Sequence, residues 1–120
     1  MLKEFVHIRQ ESGEGRRRWF ESDEMELVVW LDANGAIDGY QICYEVRGVE
    51  HALTWRPGVG FAHSSVDSGD TPMGGSKMTP ILLPDGAVPW AEVERRFVKN
   101  SGALETDLQT LVSGTLAARR

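Results

Sequence analysis

The sequence predicts a single α+β domain over residues 1–120, an antiparallel β-meander of about five strands followed by two C-terminal helices packed on the sheet. Short segments rich in β-branched and aromatic residues alternate with glycine-containing turns between residues 19 and 67. Apolar residues then recur at helical spacing after residue 89. At 120 residues the chain can bury one core and is too short for two ordinary domains.

The composition argues against two classes of partner. Hydrophobic residues make up 41% and charged residues 26% of the chain, as in an ordinary globular domain. The formal net charge of −5 argues against nucleic acid, because phosphate binding needs a basic excess. No apolar run approaches the ~20 residues of a membrane span. We therefore expect neither a nucleic-acid partner nor a membrane partner.

The chain has one cysteine, Cys43, so neither an intrachain disulfide nor a thiolate metal cluster can form within it. The first residues lack the continuous apolar region of a signal peptide. The histidines, at positions 7, 51 and 63, show none of the spacings typical of a metal site. We expect a cytoplasmic protein without a cofactor or a metal.

Two hairpins predict the register of the central strands. Residues 26–32 run into Asn34-Gly35, which tolerates the positive φ angles of a type I′ turn, and residues 40–46 return. Arg47-Gly48 offers a second tight turn before residues 49–56. The two turns together pair Leu31 with Asp38, Val29 with Tyr40, Leu27 with Ile42, Val46 with Val49, Tyr44 with His51, Ile42 with Leu53 and Tyr40 with Trp55.

Both registers place one apolar set on the same face of the sheet, here named the first face, and a slip of one residue would scatter that set. Its members are Leu27, Val29, Tyr40, Ile42, Tyr44, Val46, Val49, Leu53 and Trp55. Residues 57–60 then interrupt the ladder, and residues 61–67 can form another strand. Upstream, residues 18–20 are expected to pair with Met25 and Leu27, and residues 2–9 can add a sixth strand.

Residues 68–89 contain four glycines and four prolines and are interpreted as a long irregular loop, with a short edge strand near residues 81–83. The stretch from Gly69 to Lys77 has the glycines and the lysine of a phosphate loop. It lacks the Gly-Lys-Ser/Thr order, since Ser76 precedes Lys77 and Met78 follows it. A surface loop is the better interpretation.

The C-terminal part predicts two amphipathic helices, because apolar residues recur every three or four positions from 90 to 98 and from 104 to 116. Pro89 fits the first position of the first helix, and Ser101-Gly102 fit its end. Thr106 and Gln109 are placed as a capping box for the second helix.

The second face of the sheet carries two tryptophans among carboxylates and an arginine. Its members are Trp19, Glu26, Val28, Trp30, Gln41, Cys43, Glu45, Glu50, Ala52, Thr54 and Arg56. Aromatic residues and arginine dominate binding sites, so the candidates for a ligand or partner face are Trp19, Trp30, Glu45, Glu50 and Arg56. The alternative, which we favour, is that one or both helices cover part of this face and the tryptophans belong to the core.

A second candidate site is a histidine cluster at the end of the sheet. His63 and Asp67 can share a face, or Asp67 can lie opposite His51 if the turn at 57–60 is one residue tighter. Either arrangement would orient an imidazole as a general base, with Arg56 as a further candidate. The alternative is that His51 is a core-edge residue hydrogen-bonded to Tyr44 or to the backbone.

Nothing in the sequence demands catalysis, so the predicted function is a non-enzymatic binding or protein-interaction domain that uses the second face or a sheet edge, in one version as a homodimer. This hypothesis requires that Trp19 or Trp30 be exposed, and it fails if the helices bury both. The alternative is a small hydrolase or ligand-binding enzyme built on the histidine cluster. Neither hypothesis names a ligand.

The chain contains, in order, the strings RRWF at 17–20, LVVW at 27–30, YQICY at 40–44, EHALTW at 50–55, GFAH at 60–63 and TPIL at 79–82. Over about residues 16–85, this succession resembles a family of small bacterial proteins with no assigned activity. The resemblance implies a bacterial source. It brings no catalytic motif and no functional residues.

Overall fold

The computed structural model describes residues 1–5, 16–65, 83–84 and 88–118. The strands form one antiparallel sheet in sequence order and two helices follow it, which confirms the predicted α+β meander with more strands than the five expected. The strands are β1 Lys3–Glu4, β2 Arg17–Glu21, β3 Met25–Leu31, β4 Ile37–Val46, β5 Val49–Arg56, β6 Gly60–Ser65 and β7 Leu83–Pro84, and the helices are α1 Trp90–Asn100 and α2 Thr106–Ala118. In the part of the chain that the structure describes, neither helix has the length and apolar character needed to cross a bilayer.

The turn between β3 and β4 differs from the predicted type I′ turn. The Asp32 carboxylate accepts hydrogen bonds from the backbone N–H groups of Asn34, at 2.8 Å, and Ala36, at 3.0 Å. Gly35 has a φ of +85° and its N–H donates to the Asp32 carbonyl at 3.0 Å, whereas Asn34 keeps a negative φ. The result is a type I turn followed by a left-handed glycine, because the Asp32 side chain captures the N–H groups that a two-residue turn would leave free.

This longer turn changes the register near it. Leu31 lies opposite Ile37 rather than Asp38, and Gly39 lies opposite Trp30, so Asp38 is an extra residue that forms a β-bulge. Beyond the bulge, the predicted pairs Val29 with Tyr40 and Leu27 with Ile42 are confirmed.

The second hairpin has the predicted turn and register. Arg47 has a φ of 54° and Gly48 a φ of 82°, which are the two positive values of a type I′ turn. The pairs Val46 with Val49, Tyr44 with His51, Ile42 with Leu53 and Tyr40 with Trp55 are all confirmed. The next turn keeps this alternation, so that His63 lies opposite Leu53 and Ser65 opposite His51.

The helices cover the first face of the sheet, so the expectation that they cover part of the second face is wrong. Val93 and Phe97 of α1, and Leu108, Val112 and Leu116 of α2, are buried in one cluster with the apolar residues of the first face. The physical reason is that the second face alternates its tryptophans with carboxylates and an arginine, whose burial under a helix would cost free energy.

Polar contacts fix α1 on the sheet. The Arg96 guanidinium donates to the Glu45 carbonyl at 2.9 Å, and the Asn100 amide donates to the Glu24 carboxylate at 3.1 Å. The backbone N–H of Leu2 donates to the Asn100 carbonyl at 2.8 Å, which holds the N-terminus against the end of the helix. These bonds hold the C-terminal half of α1 in place over the first face.

Two details of the helix ends differ from expectation. Pro89 is the N-cap of α1 and not its first helical residue. Thr106 is the first residue of α2, and the Gln109 amide donates to the Ser101 carbonyl at 2.6 Å instead of closing a capping box. Gln109 therefore ties the second helix to the end of the first, where the Ser101 carbonyl also accepts a hydrogen bond from the backbone N–H of Leu104 at 2.9 Å.

Candidate partner-binding face

The face of the sheet opposite the helices is here named the open face. It consists of alternate residues of β2 to β5, which are Arg17, Trp19, Glu21, Glu26, Val28, Trp30, Gln41, Cys43, Glu45, Glu50, Ala52, Thr54 and Arg56. All the residues predicted for the second face lie on it, including the five partner-face candidates. Trp19 and Trp30 are half-buried, so neither is enclosed by the helices.

One end of the open face is formed by an arginine stacked on an indole. The Arg56 guanidinium lies over the ring of Trp30, 4.5 Å from its centroid, within the range of a cation–π contact. Arg56 also approaches the Asp38 carboxylate at 3.8 Å, and its side chain remains 44% exposed. The indole of Trp30 is thus a preformed platform for a guanidinium.

The other tryptophan is held by a carboxylate. The Trp19 indole N–H donates to the Glu26 carboxylate at 3.1 Å, which fixes both side chains across neighbouring strands. Trp19 pairs with Val28 and Arg17 pairs with Trp30, so the two tryptophans are diagonal neighbours. Two adjacent indoles therefore present part of their surface on the same side of the sheet.

A hydrogen-bonded row crosses the middle of the open face. The Thr54 hydroxyl donates to the Gln41 side-chain carbonyl at 3.0 Å, and the Gln41 amide donates to the Cys43 sulfur at 3.3 Å. Burial raises the pKa of the Cys43 thiol above its ordinary value, and the charges of Glu26 and Glu50 add to the rise. Cys43 is accordingly a weak nucleophile, since the thiolate is the reactive form.

The end of the open face away from Arg56 is acidic. Glu21 lies directly opposite Glu26, and Glu45 directly opposite Glu50. None of these four carboxylates forms an ion pair with any residue that the structure describes. Together with the β2–β3 turn they border an open cleft of about 280 Å³, whose carboxylates are Glu21, Asp23, Glu24, Glu26, Glu45 and Glu50. We name this region the acidic end.

Among the carboxylate groups of the acidic end, and within the part of the chain that the structure describes, only that of Glu24 contacts polar side chains of the helix layer. It accepts a hydrogen bond from Asn100 and pairs with Lys99 at 3.1 Å. The Asn100 hydrogen bond, followed by that of Lys99, lowers the pKa of the Glu24 carboxyl below its usual range. Across residues 1–5, 16–65 and 88–118, no three histidine, cysteine or carboxylate side chains are placed to hold a metal ion.

The histidine cluster lies on the first face. The Tyr44 hydroxyl is 2.5 Å from the Nε2 atom of His63. The rings of Tyr44, His51 and His63 are stacked, with the two imidazoles 5.4 Å apart and nearly parallel. The sequence predicts a hydrogen bond from His51 to Tyr44 or to the backbone, whereas in the structure His51 stacks on the ring of Tyr44 and the Tyr44 hydroxyl contacts His63. Their common alternation on three neighbouring strands brings the rings together.

The structure does not gather all the residues of the hydrolase hypothesis. His51 and His63 meet on the first face, whereas Arg56 stacks on Trp30 on the open face, so they point to opposite sides of the sheet. Asp67, like the loop from Gly69 to Lys77, lies outside the described residues. Among the described residues, the histidine cluster therefore contains two imidazoles and the Tyr44 phenol, and Arg56 is not part of it.

Sequence reasoning missed two members of the open face, Arg17 and Glu21, and with them the acidic cleft. The signal was present, since Arg17, Trp19 and Glu21 alternate along one strand and a turn at residues 22–24 places Glu21 opposite Glu26. The expectation for that strand began at residue 18 and ended at residue 20, which excluded both.

No protein-family model, no curated protein and no solved structure matches this chain. The assignment of a site therefore depends on the chemistry and geometry of the chain's own residues.

Proposed function

We propose that this protein is a non-enzymatic interaction domain that binds a partner protein through the open face. The observation that carries the proposal is the partial exposure of Trp19 and Trp30 on a face that the helices leave uncovered. Tryptophan and arginine are the residues most enriched at the centres of protein interfaces. Trp19, Trp30 and Arg56 lie together there on a rigid antiparallel sheet.

The size of the open face favours a short segment of a partner over a large globular surface. With strands about 4.8 Å apart and a rise of about 3.3 Å per residue, four strands offer roughly 20 by 23 Å. That is about 450 Å², below the ~800 Å² per partner of a standard stable interface. An extended or helical segment fits this area better than a second complete copy of the chain.

The proposal places the protein in the cytoplasm of a bacterium. A single thiol and the absence of a predicted disulfide suit a reducing compartment, and the resemblance over about residues 16–85 implies the bacterial source. Self-association remains a second version of the interaction hypothesis, and it is an outcome of the following experiment.

The experiment replaces Glu45, which is exposed on the open face, by a photoreactive benzoylphenylalanine in cells that produce the protein. The matched control carries the same group at Val98, which is 61% exposed on the outer side of α1. We expect a discrete cross-linked product from position 45 and none from position 98. The partner, once identified by mass and purified, should bind Trp19→Ala about tenfold more weakly than the wild type.

Equal products from both positions, or none from position 45, would contradict the proposal. A product with twice the mass of the chain would show instead that the open face binds a second copy.

A further inference from the structure

We propose that the segment bound on the open face is a positively charged stretch of another protein, whose lysine or arginine side chains enter the acidic end. This inference rests on the proposed function and adds the chemistry of the partner. The carboxylates and indoles of the open face favour a partner segment that carries positive charge.

The first support is the pairing of like charges on the sheet. Carboxylates directly opposite each other in an antiparallel pair repel, since their Cβ atoms are about 5 Å apart. The open face has two such pairs, Glu21 with Glu26 and Glu45 with Glu50. Among the residues that the structure describes, Lys3 lies opposite Glu21 on its other side without forming an ion pair, and no cation lies opposite Glu45 or Glu50. A bound cation would relieve a repulsion that the free protein retains.

The second support is the balance of charge, which disfavours a second copy as the occupant. The chain has a net charge of −5, so two copies repel each other overall. With Lys3, which pairs with Glu21 from β1, the open face carries three cations, Lys3, Arg17 and Arg56, against four glutamates, so two copies of this face would bring together a net negative charge. A basic segment complements both the open face and the whole molecule.

The third support is the chemistry of the indoles. Trp30 already accepts a guanidinium from Arg56 at 4.5 Å, which shows that an arginine fits on this surface. Trp19 offers a similar aromatic surface beside a carboxylate, because the 3.1 Å hydrogen bond holds Glu26 at the edge of its ring. A lysine or arginine over Trp19 would meet an aromatic face and a carboxylate together.

The fourth support is the size of the cleft. Its volume of about 280 Å³ lies at the lower limit of the range for pockets that hold small-molecule ligands, and the cleft does not enclose its contents. A cleft of this size, open to solvent, suits the side chains of a segment that continues across the sheet.

The test uses a synthetic peptide of about eight residues, which spans about 26 Å when extended and so covers the open face. A lysine- and arginine-rich peptide is compared with one of equal length in which glutamate replaces the basic residues. We expect the basic peptide alone to bind at low salt, and binding to weaken as ionic strength rises to about 0.15 M. In the NMR spectrum of the full chain, the indole N–H signals of Trp19 and Trp30 should shift while those of Trp55 and Trp90 stay.

The decisive variant is Glu50→Lys. It should weaken peptide binding about tenfold, because it places a cation in the acidic end. It should also raise the midpoint of thermal unfolding, because Glu45 would then face a lysine. The matched control, Asp107→Lys on the exposed first turn of α2, should leave peptide affinity within about twofold of the wild type.

Three results would overturn the inference: failure of the basic peptide to bind at low salt, equal weakening by Glu50→Lys and Asp107→Lys, or shifts at Trp55 and Trp90 instead of the two open-face indoles. A concentration-dependent dimer abolished by Glu50→Lys would replace the basic segment by a second copy. Cross-linking at position 45 separates the two proposals. A specific partner there without binding of the basic peptide overturns this inference and leaves the proposed function standing.

Discussion

At the scale of single residues, Gly39 satisfies a backbone and a packing requirement at once. Its φ of +144° belongs to a region that residues with a side chain rarely adopt, and it follows the bulge at Asp38. A Cβ atom there would lie 2.7 Å from the Trp55 carbonyl oxygen and 3.4 Å from the ring of Trp30. The backbone approaches closely at the point where Arg56 stacks on Trp30, so Gly39 helps shape the open face.

We expect Gly39→Ala to lower the free energy of unfolding by about 2–4 kcal/mol, since it adds a steric clash to the strained φ. The matched control is Gly35→Ala, whose φ of +85° is also strained but whose Cβ would meet nothing within 4 Å. That control should cost only about 1 kcal/mol. Urea denaturation of the two variants measures the difference, and equal losses would show that the close approach at Gly39 does not matter.

At the scale of elements, the hairpins show how one side chain selects a turn. Asp32 captures two N–H groups and converts the first turn into a type I turn with a left-handed glycine. In the described part of the chain, no side-chain oxygen accepts a hydrogen bond from the backbone of Arg47-Gly48, and the type I′ turn forms there even though Arg47 adopts a φ of 54°. The second turn therefore stores conformational strain that a better turn residue would remove.

Arg47→Asn should consequently be more stable than Arg47→Ala, by roughly 0.5–1 kcal/mol, because asparagine tolerates the left-handed region. The two variants remove the same positive charge beside Glu45 and Glu50, so electrostatics cancel in the comparison. Guanidinium denaturation with unchanged slopes measures the difference. If alanine proves equal to asparagine, the positive φ contributes nothing to stability.

At the scale of the whole molecule, the sheet and the helices form two layers with one core between them. Tyr40 is fully buried in that core, where its hydroxyl contacts the Thr115 hydroxyl at 2.6 Å and its ring stacks on Trp55. Burial raises the pKa of Tyr40 to about 12, against a smaller lowering by the Thr115 hydrogen bond. The two layers thus enclose a group that must stay protonated for them to remain packed.

This pKa predicts the alkaline limit of stability. The folded pKa is raised above the unfolded value, so the contribution of Tyr40 is fully present below pH ~10 and is lost as the pH rises through about 12. We expect Tyr40→Phe to lower the free energy of unfolding by about 1 kcal/mol near neutral pH, because the variant lacks the hydrogen bond to Thr115. The difference in unfolding free energy between wild type and variant should then shrink and reverse sign between pH ~10 and ~12. Thermal unfolding followed across this range measures it, and a constant difference would contradict the prediction.

Local pattern determined much of the sheet. The pairing of Tyr44 with His51 and of Ile42 with Leu53 follows from a two-residue turn and from the period of two along each strand, both of which can be read from neighbouring residues. The same period placed Trp19, Trp30 and Arg56 on one face together. The bulge at Asp38 escaped prediction, because it depends on which hydrogen bonds the Asp32 side chain makes once the chain has turned.

Alternation along the strands was enough to predict which residues share a face, whereas the face that the helices cover is evident only from the assembled fold. Both faces contain large apolar side chains, so alternation alone could not choose between them. The helices cover the first face because burying its almost wholly apolar side chains lowers the free energy, whereas burying the carboxylates of the open face would raise it. Both energies depend on contacts between the sheet and the helices, which local pattern does not contain. The packing on the first face left Trp19, Trp30 and the acidic end on the side of the sheet away from the helices, where a basic segment can reach them.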